Sequence, residues 1–184
     1  IEQLDFDLSE VVERGAEVAA LRAHEKGREL ICHIGRDVPR HVVGDPHRLR
    51  QVLLNLLGNA VKFTERGSVS MRVRADMRDA AEPTLRVEIE DTGPGISADD
   101  QDKLFRHFEQ TRTGQQAGTG RGLGLAISRE FVRLMGGEIT VSSQVERGSV
   151  FAIRLPLKVG GAEGVAAKAR PRPAPRPRRW ANRS

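Results

Sequence analysis

The chain has 184 residues, of which 38% are hydrophobic and 30% are charged, and its formal net charge is +5 at pH 7. This composition predicts one globular domain with a sizeable core, with or without a tail, and no apolar run approaches the ~18 residues of a membrane-spanning helix. The single cysteine, Cys32, excludes a disulfide within the chain and favours a reducing, cytoplasmic setting for this domain.

The positive charge is concentrated at the C-terminal end. Residues 158–184 contain eight Lys or Arg and one Glu, a net of +7, so residues 1–157 keep 22 basic and 24 acidic side chains, a net of −2. A nucleic-acid-binding domain would carry its positive charge on a folded face, so no nucleic-acid partner is expected. We predict a domain over 1–157 and a basic, Pro/Arg-rich flexible linker or tail over 158–184. Contact of the tail with RNA, DNA or anionic lipid is the less favoured alternative.

The first elements are a strand, a helix and a second strand. Residues 4–8 alternate like a short strand, and Asp7 with Glu10 has the spacing of a capping box for a helix that runs to about Glu25. Residues 29–34 then form a strand. Five residues of the helix are expected to face the core: Val11, Val12, Val18, Ala19 and Leu21.

The central helix begins at Asp45, a good N-cap, with Pro46 at its first position. Its apolar residues recur at helical spacing on one face: Leu49, Val52, Leu53, Leu56, Leu57 and Ala60. Asn55, Asn59 and Lys62 are four and three residues apart, so they form one polar stripe beside that face. Two amide oxygens and a cation in a row are typical of a site that binds a metal and a phosphate, and less typical of a helix face that only contacts solvent.

After the central helix the hydrophobic period changes to alternation. Residues 69–73 and 85–89 predict an antiparallel pair of strands with one face covered by helices. Ser97–Asp100 caps a short helix. Residues 139–143 and 150–155 predict a hairpin.

Two glycine-rich segments stand beside these elements. Gly93 and Gly95 flank a turn directly after Asp91, whose carboxylate could accept a hydrogen bond from an exocyclic amine such as that of adenine. An ordinary Asp-Thr-Gly turn is the alternative. Residues 109–121 predict a mobile loop, and the glycines of 118–124 open a helix whose N-terminal N–H groups would favour phosphate. A flexible connection between two helices is the alternative there.

Four motifs in order resemble one family. The sequence from Asp45 to Thr64 is similar to the N box of the ATP-binding catalytic domain of sensor histidine kinases, within the gyrase, Hsp90, histidine kinase and MutL superfamily. Asp91–Ile96 resembles the first G box, Leu104–Gln110 the F box and Gly120–Ile127 the second G box. The resemblance covers about residues 4–157. It implies a two-layer α/β sandwich (the Bergerat fold) with a mixed, largely antiparallel sheet covered on one face by helices.

The resemblance also implies roles for matching residues. Asn59 would hold Mg²⁺, Asn55 would support the metal or a phosphate, and Lys62 would reach the phosphates. Phe63 would pack near the adenine or ribose, Asp91 would bind the adenine amine, and residues 109–121 would be the ATP lid. The remaining expected ATP contacts are Gly93, Gly95, Ile96, Phe105, Phe108, Thr119, Gly120, Arg121, Gly122, Leu123 and Gly124.

One position separates the branches of the superfamily. Hydrolytic members place a Glu four residues before the metal Asn, as the general base for water, whereas this chain has Asn55, which cannot take a proton. Catalysis would rest on positioning and charge neutralisation of the phosphates, which favours a kinase over a vigorous ATPase. Arg121 departs from the usual Thr or Ser of the second G box, and we expect it to face solvent or a phosphate.

The family's phosphoacceptor histidine lies on a separate helical-hairpin dimerisation domain, and only His24-Glu25 faintly resembles its motif here. The chain is therefore interpreted as the catalytic domain of a larger kinase, and the resemblance favours a hybrid kinase with a receiver domain downstream. The fragment is expected to be monomeric and its parent homodimeric, either membrane-anchored or soluble. Two alternatives remain: a degenerate nucleotide-binding regulatory module, and, less favoured, a related protein-serine kinase such as an anti-sigma factor.

Overall fold

The computed structural model describes residues 1–79, 81–105, 124–161 and 178–180. None of the helices in these ranges is both long enough and apolar enough to cross a bilayer. The elements in chain order are β1 (Leu4–Asp7), α1 (Leu8–Glu25), β2 (Glu29–Ile34), β3 (His41–Gly44), α2 (Pro46–Phe63), β4 (Ser68–Asp76), β5 (Thr84–Asp91), α3 (Ala98–Gln101), α4 (Gly124–Leu134), β6 (Glu138–Gln144), β7 (Gly148–Pro156) and β8 (Arg178–Trp180).

Six strands form the main sheet in the order β6-β7-β5-β4-β2-β8. Strands β2 and β4 run parallel and every other pair in this sheet is antiparallel. Strands β1 and β3 form a separate antiparallel ribbon. The predicted mixed, largely antiparallel sheet is confirmed.

The core lies between the sheet and the helices. Along β4, Val69, Met71 and Val73 are buried while the intervening Arg72 and Arg74 are exposed, so one face of the sheet is apolar and the other is polar. All six predicted inward residues of α2 are buried, together with Val61. The two-layer α/β sandwich is therefore confirmed.

The inner face of α1 differs from the prediction. Val12 and Ala19 are buried, but Leu21 is 68% exposed, and Val11 and Val18 are half-buried. The residues of α1 that are buried include small ones: Gly15, Ala16, Ala20 and Ala23. A Cβ atom at Gly15 would lie 3.7 Å from the Leu53 Cβ, so α1 and α2 approach each other closely at this glycine. The prediction for α1 placed large apolar side chains in the core and left out the small residues that are buried there.

Strand β3 was not predicted. Its four residues pair with β1 in the register Leu4↔Gly44 to Asp7↔His41. The chain beyond residue 157 continues this pairing, because the Val43 N–H donates to the Lys158 carbonyl at 2.8 Å and the Gly160 N–H donates to the His41 carbonyl at 3.0 Å.

Three residues near the end of the chain, Arg178–Trp180, form β8 against β2. The domain boundary at 157 and the flexible tail remain predictions, since 162–177 and 181–184 lie outside the described residues.

Candidate functional site

Helix α2 carries the predicted polar stripe and is fixed at both ends. At its start, the buried Asp45 carboxylate accepts the Arg48 N–H at 3.0 Å and the Glu2 N–H at 3.1 Å. Burial pushes the pKa of Asp45 up, but these hydrogen bonds and the Arg48 charge outweigh it and hold the pKa below its ordinary value. At its end, the fully buried Thr64 donates its hydroxyl to the Ala60 carbonyl at 2.7 Å. Both caps fix where the stripe points.

Asn55 joins α2 to the first turn of α4. Its side-chain amide nitrogen donates to the Ser128 hydroxyl at 3.2 Å and to the Gly124 carbonyl at 3.4 Å. Ser128 is fully buried, and a Cβ atom at Gly124 would lie 3.9 Å from the Asn55 side chain. Two predicted site residues, Asn55 and Gly124, are thus in direct contact, and Asn55 is also held by Ser128, a residue that sequence reasoning missed. The only signal for Ser128 was a hydroxyl among the apolar residues that this helix buries, Ala126 and Val132.

Asn59, Lys62 and Phe63 continue the stripe toward the C-terminal end of α2, and all three are half-buried. The Lys62 ammonium lies 5.1 Å from the centroid of the Phe63 ring, within range of a cation–π contact. Burial lowers the pKa of Lys62, and the nearby charge of Lys26 lowers it further.

Asp91 ends β5 and is buried, with 7% of its surface exposed. The Gly93 N–H donates to its Oδ1 at 2.9 Å. Burial raises the pKa of Asp91, and hydrogen bonds from the backbone of Gly93 and Ser149 oppose that rise. A carboxylate offers about four lone-pair sites, so beside these two hydrogen bonds it retains acceptor capacity for a ligand.

Gly93 brings the end of β5 against the end of α2. A Cβ atom at this position would lie 2.8 Å from the Asp91 Oδ1 and 3.1 Å from the Phe63 carbonyl oxygen, so any larger residue would push the two apart. The contact places two predicted base-side residues, Asp91 and Phe63, on either side of one glycine.

A serine network holds the loop after Gly93 to the β6–β7 hairpin. Gly95 has φ +73°, and a Cβ atom there would overlap the Gln144 carbonyl. The Ile96 N–H donates to the Ser143 hydroxyl at 2.8 Å, and that hydroxyl donates to the Gly148 carbonyl at 2.9 Å. The side-chain amide of Gln101, at the end of the predicted Ser97-capped helix, donates to the Ile96 carbonyl at 2.9 Å and the Ser143 carbonyl at 3.0 Å. Ser143 and Gln101 were not predicted, because these hydrogen bonds join residues that are far apart in the sequence. Ile96 and Ser143 are 47 residues apart, and Gln101 and Ser143 are 42 residues apart.

Phe105 is half-buried against the core, and the Arg129 guanidinium lies 5.6 Å from the centroid of its ring. Phe108, Thr119, Gly120, Arg121, Gly122 and Leu123 lie outside the described residues, as does the predicted ATP lid. Between Asn55, which contacts α4, and Phe63, which contacts the Gly93 loop, α2 rises about 12 Å. A nucleoside triphosphate is an extended ligand of comparable length.

The donors along the stripe fit Mg²⁺ in the form that accompanies a nucleotide. No group of three or more His, Cys, Asp or Glu side chains that could hold a metal occurs within the described ranges. Mg²⁺ usually takes only one or two oxygen ligands from the protein and the rest from phosphates and water. The amide oxygens of Asn59 and Asn55 suit that pattern.

Comparison with known proteins shows which family the chain belongs to. The family described as the histidine kinase-, DNA gyrase B- and HSP90-like ATPase matches residues 44–159, more than half of the chain. The chain belongs to this family.

The relatives within this ATPase family are histidine kinases. The signal transduction histidine-protein kinase BarA of Escherichia coli strain K12 is 39% identical over 158 residues, which cover 85% of this chain and 17% of BarA. The aerobic respiration control sensor protein ArcB of the same strain is 42% identical over 140 residues, covering 75% of this chain and 18% of ArcB. The crystal structure of full-length ShkA in complex with AMPPNP has a TM-score of 0.75 and 35% identity, covering 87% of this chain and 32% of the ShkA chain.

The resemblance to the histidine kinase ATP-binding domain is therefore confirmed, and so is its fold. The chain spans less than a fifth of the length of BarA or ArcB. The individual roles of the site residues remain predictions.

Proposed function

We propose that this domain binds Mg-ATP and transfers the γ-phosphate to a histidine on a separate helical-hairpin domain, in two-component signal transduction. The observation that carries the proposal is the contact of Asn55 with Gly124 and Ser128. It joins the helix of the N box to the helix that the second G box opens, so the side chains expected to hold metal and phosphate stand beside a helix N-terminus. That is where phosphate is favoured by free N–H groups and the helix dipole.

In this proposal the phosphate side is formed by the α2 stripe. Asn59 holds Mg²⁺ through its amide oxygen, with Asn55 supporting the metal or a phosphate. Mg²⁺, when bound, neutralises charge on the transferring phosphate. Lys62, whose pKa is lowered by burial, reaches the phosphates with its amino group. The glycines 120, 122 and 124 of the second G box supply backbone N–H groups.

The base side is formed where β5 meets the end of α2. The Asp91 carboxylate accepts a hydrogen bond from the adenine amine in addition to the one that it accepts from the Gly93 N–H. Ile96 lines the base pocket, and the serine network holds it against the hairpin. Phe63 packs near the adenine or ribose, where its contact with Lys62 links the two halves of the site.

The position of Asn55 favours transfer to a protein over hydrolysis. An amide cannot remove a proton from water, so hydrolysis lacks its general base. The amide nitrogen of Asn55 is moreover occupied by the Ser128 hydroxyl and the Gly124 carbonyl. What the site offers is orientation and charge neutralisation, which suffice when a separate domain brings the nucleophile.

The partners of the domain follow from that requirement. The nucleophile is a histidine on the hairpin domain of the parent kinase, which also makes the parent a homodimer, while this domain is monomeric. A receiver domain downstream then accepts the phosphate. The domain operates in the cytoplasm, with the parent either membrane-anchored or soluble.

The test is phosphotransfer in trans. The protein is mixed with a purified hairpin domain from a histidine kinase of this family, Mg²⁺ and γ-labelled ATP, and acid-labile label on the hairpin is measured. We expect label on the hairpin histidine and none on a hairpin in which that histidine is Ala. Release of free phosphate without label would indicate a hydrolase. Nucleotide binding with neither product would indicate a degenerate regulatory module.

A further inference from the structure

Strand β2 would be an edge strand of the main sheet without the tail. Its other neighbour is β4, with which it pairs in parallel from Glu29↔Ser68 to Ile34↔Val73. An edge strand presents a row of unpaired N–H and carbonyl groups, which another extended segment can use by adding a strand. In this protein β8 covers that edge, with the sheet order ending β4-β2-β8.

The register of β8 sets which of its residues face the core. Trp180 is opposite Leu30 and Arg178 is opposite Cys32, and both partners on β2 are buried. Directly opposed residues of an antiparallel pair share a face of the sheet, so Arg178 and Trp180 lie on the helix-covered face. Trp180 is partly buried and packs against the core.

An ion pair adds a specific contact at the other end of β8. Arg178 Nη1 lies 3.0 Å from Oε2 of Glu13, which belongs to α1. The Arg178 side chain is 58% exposed and that of Glu13 31% exposed, so the pair is partly screened by solvent. Such a pair contributes little stability by itself. Arg178 and Trp180 are two residues apart and therefore lie on the same face of β8, so both contacts form together in the observed register.

We infer that the β2 edge and Glu13 form a docking site for an extended Arg-x-Trp segment, and that its occupant is Arg178–Trp180 of the same molecule. The charge of the tail supports this occupant, since residues 158–184 carry a net of +7 and the rest of the chain a net of −2. The described residues after 157 contact the domain at two places: at β3 through Lys158 and Gly160, and at β2 through β8.

This inference is independent of the proposed function. The docking site is built on α1 and β2, whereas the candidate nucleotide site is built on α2, β5 and the start of α4. Variants of the docking contacts should therefore leave binding of an ATP analogue unchanged.

The chain contains its own reporter, because Trp180 is its only tryptophan and it has no tyrosine. The experiment measures the emission maximum of the full chain and the quenching of its fluorescence by acrylamide, a neutral quencher. The variants are Glu13→Lys, Arg178→Glu and the two combined. The matched control is Glu25→Lys, the same charge change at an exposed position of α1.

For the parent and the control we expect emission at shorter wavelength and weaker quenching than in the urea-unfolded chain. Each single reversal should shift emission toward the unfolded value and increase quenching, and the double reversal should return both toward the parent. This pattern isolates the pair from general charge effects.

Three results would overturn the inference. One is emission of the native parent equal to that of the unfolded chain. The second is single reversals that behave like the Glu25→Lys control while circular dichroism shows them folded. The third is emission that changes with protein concentration, which would assign the occupant to a second copy. The double reversal keeps the test decisive if a single variant fails to fold.

Discussion

Replacing Asp91 with Asn separates the stability of the domain from its affinity for the base. The substitution keeps size and an acceptor for the Gly93 N–H, which the carboxylate accepts at 2.9 Å, but it removes the negative charge proposed to bind the adenine amine. A hydrogen bond to a charged group contributes about 1.5–3 kcal/mol, so we expect ATP affinity to fall roughly 10- to 150-fold.

The assay is calorimetric titration of the parent and Asp91→Asn with non-hydrolysable analogues of ATP and of inosine triphosphate, which lacks the exocyclic amine. The parent should prefer the adenine nucleotide, and the variant should lose most of that preference. Glu90→Gln is the matched control, because Glu90 is the exposed neighbour on the same strand and pairs with Arg72. Asp91→Asn binding ATP within twofold of the parent, or keeping the parent's preference, would refute the assigned role.

The same variant has an opposite effect on folding. Because burial raises the pKa of Asp91 above 3.8, the folded chain binds more protons than the unfolded chain in the interval above that value. The contribution of the Asp91 carboxyl to the free energy of unfolding of the parent therefore falls as the pH rises through this interval. Without nucleotide, Asp91→Asn should unfold at equal or higher urea than the parent at pH 7, and the difference should shrink toward pH 4. A difference that grows on acidification would contradict the assignment.

Three further substitutions, with Gly27→Ala as a control for one of them, test how the site is held. Ser128→Ala leaves the Asn55 amide with one long contact, at a cost of about 1 kcal/mol, so thermal unfolding should occur about 2–4 °C lower and nucleotide affinity should fall; unchanged affinity would remove the positioning role. Gly95→Ala adds an overlap with the Gln144 carbonyl to the cost of positive φ, so urea denaturation should show a loss above ~2 kcal/mol. Gly27→Ala, at φ +67° with nothing within 4 Å, should lose only about 1–2 kcal/mol, and equal losses would contradict the close approach. Asp45→Ala removes the N-cap of α2 and should lower the free energy of unfolding by about 1 kcal/mol in the same urea assay. An unchanged free energy of unfolding would show that this cap does not stabilise the helix.

The sequence was most informative where local patterns were strong. The N-cap at Asp45, the apolar period of α2 and the polar stripe beside it all come from one continuous segment, and the structure places that helix as predicted. The alternation over 69–73 and 85–89 likewise predicted β4 and β5, because one buried face imposes a period of two on a strand.

The missed features depend on contacts between distant parts of the chain. Strand β3 has four residues, too few to establish alternation, and it exists because β1 pairs with it. In the sequence, Ser143 is an ordinary polar residue of a hairpin. Its role depends on the hydrogen bond that its hydroxyl accepts from the Ile96 N–H, which belongs to a distant loop. Leu21 was expected inside because it is apolar, but it is exposed, and the buried face of α1 is made mostly of Gly and Ala. Contacts between residues that are distant in the sequence leave no pattern within a single segment from which they could be predicted.

The most direct test of the account is the metal dependence of nucleotide binding at Asn59. Affinity for AMPPNP is measured with Mg²⁺ and with EDTA for the parent, for Asn59→Ala and for Gln51→Ala, a change at an exposed amide of the same helix. The account predicts that Mg²⁺ strengthens binding to the parent and to Gln51→Ala by at least about tenfold, the effect of one charge-assisted contact. Asn59→Ala should bind equally weakly with and without the metal. If Asn59→Ala keeps the parent's Mg²⁺-dependent affinity, the stripe on α2 is not the metal side of the site.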